Sequence, residues 1–308
     1  MDNMRVLIDT DAGVDDILAI FLAKQVARQW TLDLAVTFGN VPIDQALDNI
    51  VVFDAVSGFA PHRLFVGSSS PLLGEPQFAL DVHGADGLGG HSHFLGRLPG
   101  KPATHDLLDM KLGDYAKIVA LGPLTNVSRL SQDGPSSPPL FVMGGAFDGP
   151  GNVSPFAEFN FHADPNAAFD VFDRYQGDIF VVPLDVCRLV VLGRSYLTEL
   201  CDRNGSRATL FLKLIHQHYM DFYRRLENID GCYPHDALCA SAAIDSSLFN
   251  WDRGRVQITR EGPERGRSLF RRESSGRHYV ARGVDARRFF ALLESAIDGY
   301  REPSSPPG

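Results

Sequence analysis

Short apolar, β-branched runs alternate along the chain with stretches of helical periodicity. This alternation constrains the fold more than any other feature, because it calls for a parallel sheet wrapped by helices. The runs are Val6 to Ile8, Leu32 to Phe38, Leu64 to Val66, Ile118 to Leu121, Leu140 to Met143 and Ile179 to Leu184. Between them Asp16 to Phe21, Ala46 to Val56, Asn126 to Leu130 and Pro165 to Phe172 read as helices, with Thr125 as N-cap of the third. Arg207 to Glu227 is the longest helical pattern. Its stripe Leu210, Phe211, Leu214, Ile215, His218, Tyr219, Phe222 and Tyr223 is expected to be mostly core. Arg255 to Val280 reads as β-ribbon and Arg287 to Tyr300 as a closing amphipathic helix, with Ser131 to Pro139 as a surface loop. The expected fold class is therefore α/β, one domain over residues 1–308 with a mostly parallel central sheet flanked by helices, and 303–308 as a disordered Pro/Ser tail.

What closes the runs points to where a ligand sits. Five of them end in Asp9-Thr10-Asp11, Gly39-Asn40, Gly122-Pro123, Gly144-Gly145 and Asp185, and only the third ends in the plainer Gly67-Ser68. Open α/β sheets bind ligands at the carboxyl ends of their strands, so five strands are expected to feed one site. Charge narrows the ligand: 29 basic against 38 acidic residues give −9, and no Lys/Arg run exceeds two, which leaves no footprint for nucleic acid or an anionic membrane. No stretch of about 18 apolar residues is present, and the opening residues have no export pattern. Four irregularly spaced cysteines, Cys187, Cys201, Cys232 and Cys239, read as reduced thiols of a cytoplasmic protein.

Asp9-Thr10-Asp11-Ala12-Gly13-Val14-Asp15-Asp16 puts four carboxylates within eight residues, between a buried strand and a helix, with Gly13 permitting a tight turn. Their mutual repulsion needs a counter-ion. An all-oxygen set with neither thiolate nor imidazole suits Ca²⁺ rather than Zn²⁺, with Mg²⁺ as the alternative. A second cluster runs from Gly144-Gly145 through Asn152 to Glu158 and Asn160, a donor and acceptor set suited to a polyhydroxy ligand such as a sugar. A third is His235-Asp236 at the start of a helix; Cys232, His235 and Cys239 have a superficial zinc spacing but lack a fourth ligand. His83 lies in a glycine-rich loop expected not to pack tightly, either mobile surface or a lid, with His91 and His93 solvated beyond it.

Together these motifs resemble the inosine-uridine-type nucleoside hydrolases. The N-terminal segment is similar to the family signature DxDPGxDD, with Ala12 in place of Pro. Gly39-Asn40, His83-Gly84, Leu121 to Asn126, Met143 to Gly145, Gly151-Asn152 through Asn160, Asp164-Pro165, Leu184-Asp185 and His235-Asp236 follow in the family's order over nearly the whole chain. The resemblance implies a Rossmann-like α/β domain that uses Ca²⁺ to hydrolyse the N-glycosidic bond of ribonucleosides, a step of nucleoside salvage. It also implies a homo-oligomer, dimer or tetramer. By motif position, Asp11, Asp16, Asp236 and the Leu121 backbone carbonyl would hold the metal, and Asp11 would also be the general base for the attacking water. Asp15, Asn152, Glu158 and Asn160, with Asn40 nearby, would hold the ribose. His235 would face the base as a candidate acid for the leaving group, with Tyr219 or Tyr223 as the alternative donor, His83 would close over it, and Tyr219, Phe222 and Tyr223 would shape the base side. Cys187 and Arg188 stand where relatives commonly carry Thr and then His or Asn, and both are assigned to the base-side pocket.

Two other readings compete. Asp9-Thr10-Asp11 also fits the aspartyl nucleophile of a metal-dependent phosphohydrolase, but such enzymes want Thr or Val where Gly13 stands, and a later catalytic Lys in a chain where lysines are scarce. A catalytically inactive nucleoside-binding protein is the other, and retention of every expected carboxylate argues against it.

Overall fold

The computed structural model describes residues 4–96, 100, 103–131 and 137–302; the tail 303–308 and most of the 131–139 loop lie outside them. The strands are β1 (Met4–Thr10), β2 (Trp30–Val36), β3 (Arg63–Val66), β4 (His105–Asp106), β5 (Lys117–Ala120), β6 (Leu140–Met143), β7 (Ile179–Val182), β8 (Leu192–Gly193), β9 (Gly231–Cys232), β10 (Phe249–Ile258), β11 (Ser268–Arg272) and β12 (His278–Val284). The helices are α1 (Val14–Val26), α2 (Ile43–Ser57), α3 (Leu80–His83), α4 (Thr125–Leu130), α5 (Phe159–Ala163), α6 (Pro165–Arg174), α7 (Leu184–Cys187), α8 (Arg194–Asn204), α9 (Arg207–Glu227), α10 (His235–Ile244) and α11 (Ala286–Gly299).

Ten strands form one sheet in the order β11-β10-β12-β7-β6-β5-β1-β2-β3-β4, and from β12 to β4 every neighbour is parallel. The central strands are continuous apolar runs because helices cover both faces and leave no solvated side for polar alternation. The chain builds β1 to β4 outward in one direction, then returns to lay β5, β6 and β7 on the other side of β1. The reversal lies between β1 and β5, where neighbouring loops diverge and open a crevice at the strands' carboxyl ends. The Asp9 to Asp16 loop leaves β1 there, and Leu121 leaves β5 beside it.

Three expectations need correction. The β-ribbon expected over Arg255 to Val280 is present as antiparallel β10, β11 and β12, but it begins earlier, at Phe249, and ends later, at Val284, and β12 joins it to the main sheet by pairing parallel with β7. Thr125 is the first residue of α4, not its cap; its hydroxyl donates to Asp164 Oδ2 at 2.7 Å, which joins α4 to α6. The α9 stripe is also rotated: Leu210 is exposed, while Leu212 and His216 are buried with Phe211, Ile215 and Tyr219. The helix is anchored at its start by Ser206, whose hydroxyl accepts from Thr209 N, and ends at Asn228 in the left-handed conformation.

Candidate active site

The carboxylate loop owes its shape to Thr10. Its hydroxyl donates to Asp16 Oδ1 at 2.5 Å and accepts from Ala12 N at 3.1 Å, while Asp16 Oδ2 accepts from Gly13 N at the start of α1. The tight turn expected at Gly13 falls one residue earlier: Ala12 has φ +52, whereas Gly13 has φ −78. Proline could adopt neither that angle nor the N–H bond to Thr10. Gly13 is required for space instead, since a Cβ there would lie 2.3 Å from Asn40 Nδ2 and 2.7 Å from His83 Nδ1.

Asp11 is spanned by Asn40, which donates through its backbone N to Oδ2 (2.8 Å) and through Nδ2 to Oδ1 (2.9 Å), while the same Nδ2 reaches Asp16 Oδ2 at 3.1 Å. A Cβ on Gly39 would sit 1.9 Å from Asp11 Oδ2, so only glycine lets the β2 loop come this close. Oxygens of Asp15, Asp16 and Asp236 lie within 4.8 Å of one another. Burial, then the charge of Asp16, hold the Asp11 and Asp15 carboxyls well above the usual range; burial, then Asp15, does the same for Asp236. Among the described residues no Lys or Arg pairs with any of them, and His83 Nδ1 stands 3.8 Å from Asp15 Oδ1. Converging buried carboxylates without a cationic side chain are a donor set that fits a hard divalent cation. Asp9, the remaining member of the sequence cluster, does not reach the cavity. It turns beneath the sheet end, where Oδ1 accepts from Asn126 Nδ2 (2.7 Å), Oδ2 has no partner, and burial lifts the carboxyl to about 7.

Beside the carboxylates lies a cavity of about 290 Å³ lined by Asp15, Asn40, His83, Leu121, Asn152, Glu158, Asn160, Tyr219, Tyr223, His235 and Asp236 among others; Asp11 and Asp16 are not in its lining and reach it through Asn40, whose Nδ2 bonds both. Glu158 caps α5, accepting from the backbone N of Gly145, Asn160 and Phe161, and burial raises its carboxyl to about 7. Asn160 spends both Nδ2 hydrogens on the carbonyls of Leu121 (2.7 Å) and Met143 (3.2 Å), so its Oδ1 faces the cavity as an acceptor. Asn152 is exposed at the rim, its Oδ1 accepting from Phe159 N.

On the opposite wall His235 Nε2 lies 2.9 Å from Tyr223 Oη, and Nδ1 has no partner. Burial, then the Arg188 cation, pushes this imidazole down to about 3. Tyr219 Oη donates to Asp15 Oδ2 at 3.3 Å and its ring stacks on His83. The His83 loop is neither open nor loosely packed. His83 is buried and accepts from Val14 N, Asp86 accepts from Leu88, Gly90 and Ser92 N, and Asn49 Nδ2 ties Ala12 O to Asp86 O. Glycines 84, 87, 89 and 90 all have positive φ, and at two of them the loop packs where a side chain could not: a Cβ would lie 2.8 Å from Asn49 Nδ2 of α2 at Gly87 and 2.8 Å from Ile215 O of α9 at Gly89. Cys187 is core and does not line the cavity, whereas Arg188 does; the Cys232, His235 and Cys239 set is not brought together. Sequence reading missed Asn126 and Thr10 as supports and Tyr233 and Glu227 as wall residues. The Tyr233 hydroxyl donates to Glu227 at 2.8 Å, a pair six residues apart that no motif marks.

A family model described as inosine-uridine preferring nucleoside hydrolase matches residues 6–291. The chain belongs to this nucleoside hydrolase family. It is 34% identical to uridine nucleosidase 1 of Arabidopsis thaliana over 84% of this chain and 79% of that protein. It is 35% identical to the non-specific ribonucleoside hydrolase RihC of Escherichia coli over 84% and 85%. Among solved structures, a plant nucleoside hydrolase superposes with a TM-score of 0.86 at 30% identity, covering 96% of this chain and 99% of that one. A purine-preferring ribonucleoside hydrolase from Gardnerella vaginalis gives the same TM-score at 26% identity, covering 96% and 98%. As a nucleoside hydrolase the chain is an enzyme that hydrolyses N-glycosyl bonds. No described helix is long and apolar enough to cross a membrane, and all four cysteines are free.

Proposed function

We propose that the chain hydrolyses ribonucleosides to ribose and free base with Ca²⁺ held by Asp11, Asp16, Asp236 and the Leu121 carbonyl. The observation that carries this reading is the convergence of the buried carboxylates Asp15, Asp16 and Asp236, with no Lys or Arg paired to them among the described residues, at a cavity on the sheet's switch point; Asp11 joins the set through Asn40, whose Nδ2 bonds both Asp11 and Asp16. Ca²⁺ held there would supply positive charge that makes a nearby water more acidic. Asp11, held by Asn40, takes the proton of that water. As the glycosidic bond lengthens, the ring gains oxocarbenium character, and the anionic floor stabilises it. Asp15, Asn40, Asn152, Glu158 and Asn160 bond the ribose hydroxyls, contacts that tighten as the ring flattens. His235, backed by Tyr223, is the proposed proton donor to the departing base, although burial and the Arg188 cation lower its imidazole to about 3 and so oppose the charged form; His83 and Tyr219 enclose the base.

The relatives' names speak of uridine, of purines and of no specificity, so uridine and inosine are the substrates to try. Incubation with each, and with a phosphomonoester, should give reducing sugar and free base and no phosphate. Phosphate release without base release would favour the phosphohydrolase, and no product from any of them the inactive binder. The sugar wall adds a prediction: 2′-deoxynucleosides should be much poorer substrates, because the missing hydroxyl leaves buried polar groups such as Asn160 Oδ1 unpaired. Equal kcat/KM on uridine and deoxyuridine would refute the assignment of these residues.

A further inference from the structure

The segment between β6 and α5 carries Gly151, Asn152 and Val153 into the cavity wall, yet Asp148 to Pro150 just before them are solvent-exposed. A single helical turn holds the backbone of that stretch, alongside Arg282 Nη1, which donates to Asp148 Oδ2, and the N–H groups of Gly151 and Asn152, which donate to Pro155 O and Ala157 O. Asp185 and Arg188, three residues apart at α7, face the segment together. The Asp185 carboxylate accepts from the backbone N of Phe147 (2.8 Å), Asp148 (2.9 Å) and Gly149 (2.6 Å). The Arg188 guanidinium continues the row with opposite polarity, donating through Nη1 to Pro150 O (2.6 Å) and through Nη2 to Gly151 O (3.2 Å). Five consecutive residues are therefore held, N–H groups by an anion and then carbonyls by a cation, and the last bond falls on the peptide that leads into Asn152.

We propose that Arg188 is a positioning residue that aims the sugar-side wall: its planar fork sets the Pro150 and Gly151 carbonyls and so the direction in which Asn152 meets the ribose. This rests on the ribonucleoside reading above. A guanidinium fixes two carbonyls in one plane, whereas a lysine ammonium offers a point charge and no fixed geometry. Arg188 also lines the cavity between this wall and His235, so the brace stands at the junction of sugar and base sides. A direct effect of its charge on the leaving base is the competing account.

The test uses Arg188→Met, which keeps an aliphatic stem, and Arg188→Lys, which keeps the charge. kcat/KM is measured for a ribonucleoside and its 2′-, 3′- and 5′-deoxy forms, together with hydrogen–deuterium exchange of the 147–153 amides. Both variants should lose about a hundredfold on the ribonucleoside, the scale of a 1 Å misplacement of a positioning group. The analogue lacking the hydroxyl that this wall reads should lose far less, so discrimination at that one hydroxyl collapses. The segment's amides should exchange faster in both variants. An equal loss on all four substrates, unchanged kinetics, unaltered exchange or full function in the Lys variant would each overturn the proposal. The wild-type enzyme in the same assay reports on the underlying reading separately: if it releases no base from any nucleoside, that reading fails, while the exchange result still decides whether Arg188 braces the segment.

Discussion

Asp11→Asn should lose nearly all turnover while keeping its fold. The carboxylate is asked to be a general base and a cation ligand at once, and loss of the first role alone lowers turnover by at least about a hundredfold. The fold has reason to survive, because asparagine matches the volume and keeps one acceptor for Asn40. Its amide would oppose the other Asn40 donor, a cost of roughly 1–3 kcal/mol, but the substitution also removes one of several like charges that burial has crowded together. Circular dichroism and thermal melting should therefore remain close to wild type while base release collapses. Near-normal turnover in this variant is incompatible with the mechanism.

The second large effect concerns the leaving group. If His235 with Tyr223 behind it supplies the proton, His235→Ala should slow natural nucleosides by roughly 10²- to 10⁴-fold, the range of general acid catalysis. p-Nitrophenyl riboside, whose leaving group departs without a proton, should be largely spared. The contrast isolates the role, because His235 opens α10 immediately before Asp236, and a disturbed cation site would slow both substrates alike. Equal losses would make His235 a support for Asp236, and no loss on either would remove it from the reaction.

Much of the site was legible in the sequence because each strand end wrote its chemistry into adjacent residues. Asp11 with Asp15 and Asp16, and Gly39 with Asn40, are local motifs that the parallel sheet carries to one crevice at its strand ends, and His235 with Asp236 is a local motif that opens α10 against the same crevice. Pairings across large sequence distances were not legible. Arg188 meets Pro150 from 38 residues away, and Asn126 meets Asp9 from 117, and no local pattern records either contact. Burial also defeated simple periodicity. The glycines of the His83 loop suggested looseness, yet their positive φ values are what allow Asp86 and Asn49 to pin it. In α9 one helix serves core and cavity together, so its apolar stripe alone could not say that Tyr219 and Tyr223 line the cavity while Phe211 and Ile215 face the interior.

The central claim is that a cation held by these carboxylates is indispensable to glycosidic hydrolysis. Its most direct measurement is base release from uridine and inosine by protein stripped with excess chelator, before and after calcium is restored, with calorimetric titration of Ca²⁺ into the same stripped sample. The account predicts that stripped protein is inactive, that calcium restores turnover, and that titration finds one site per chain. Full activity in excess chelator would contradict it.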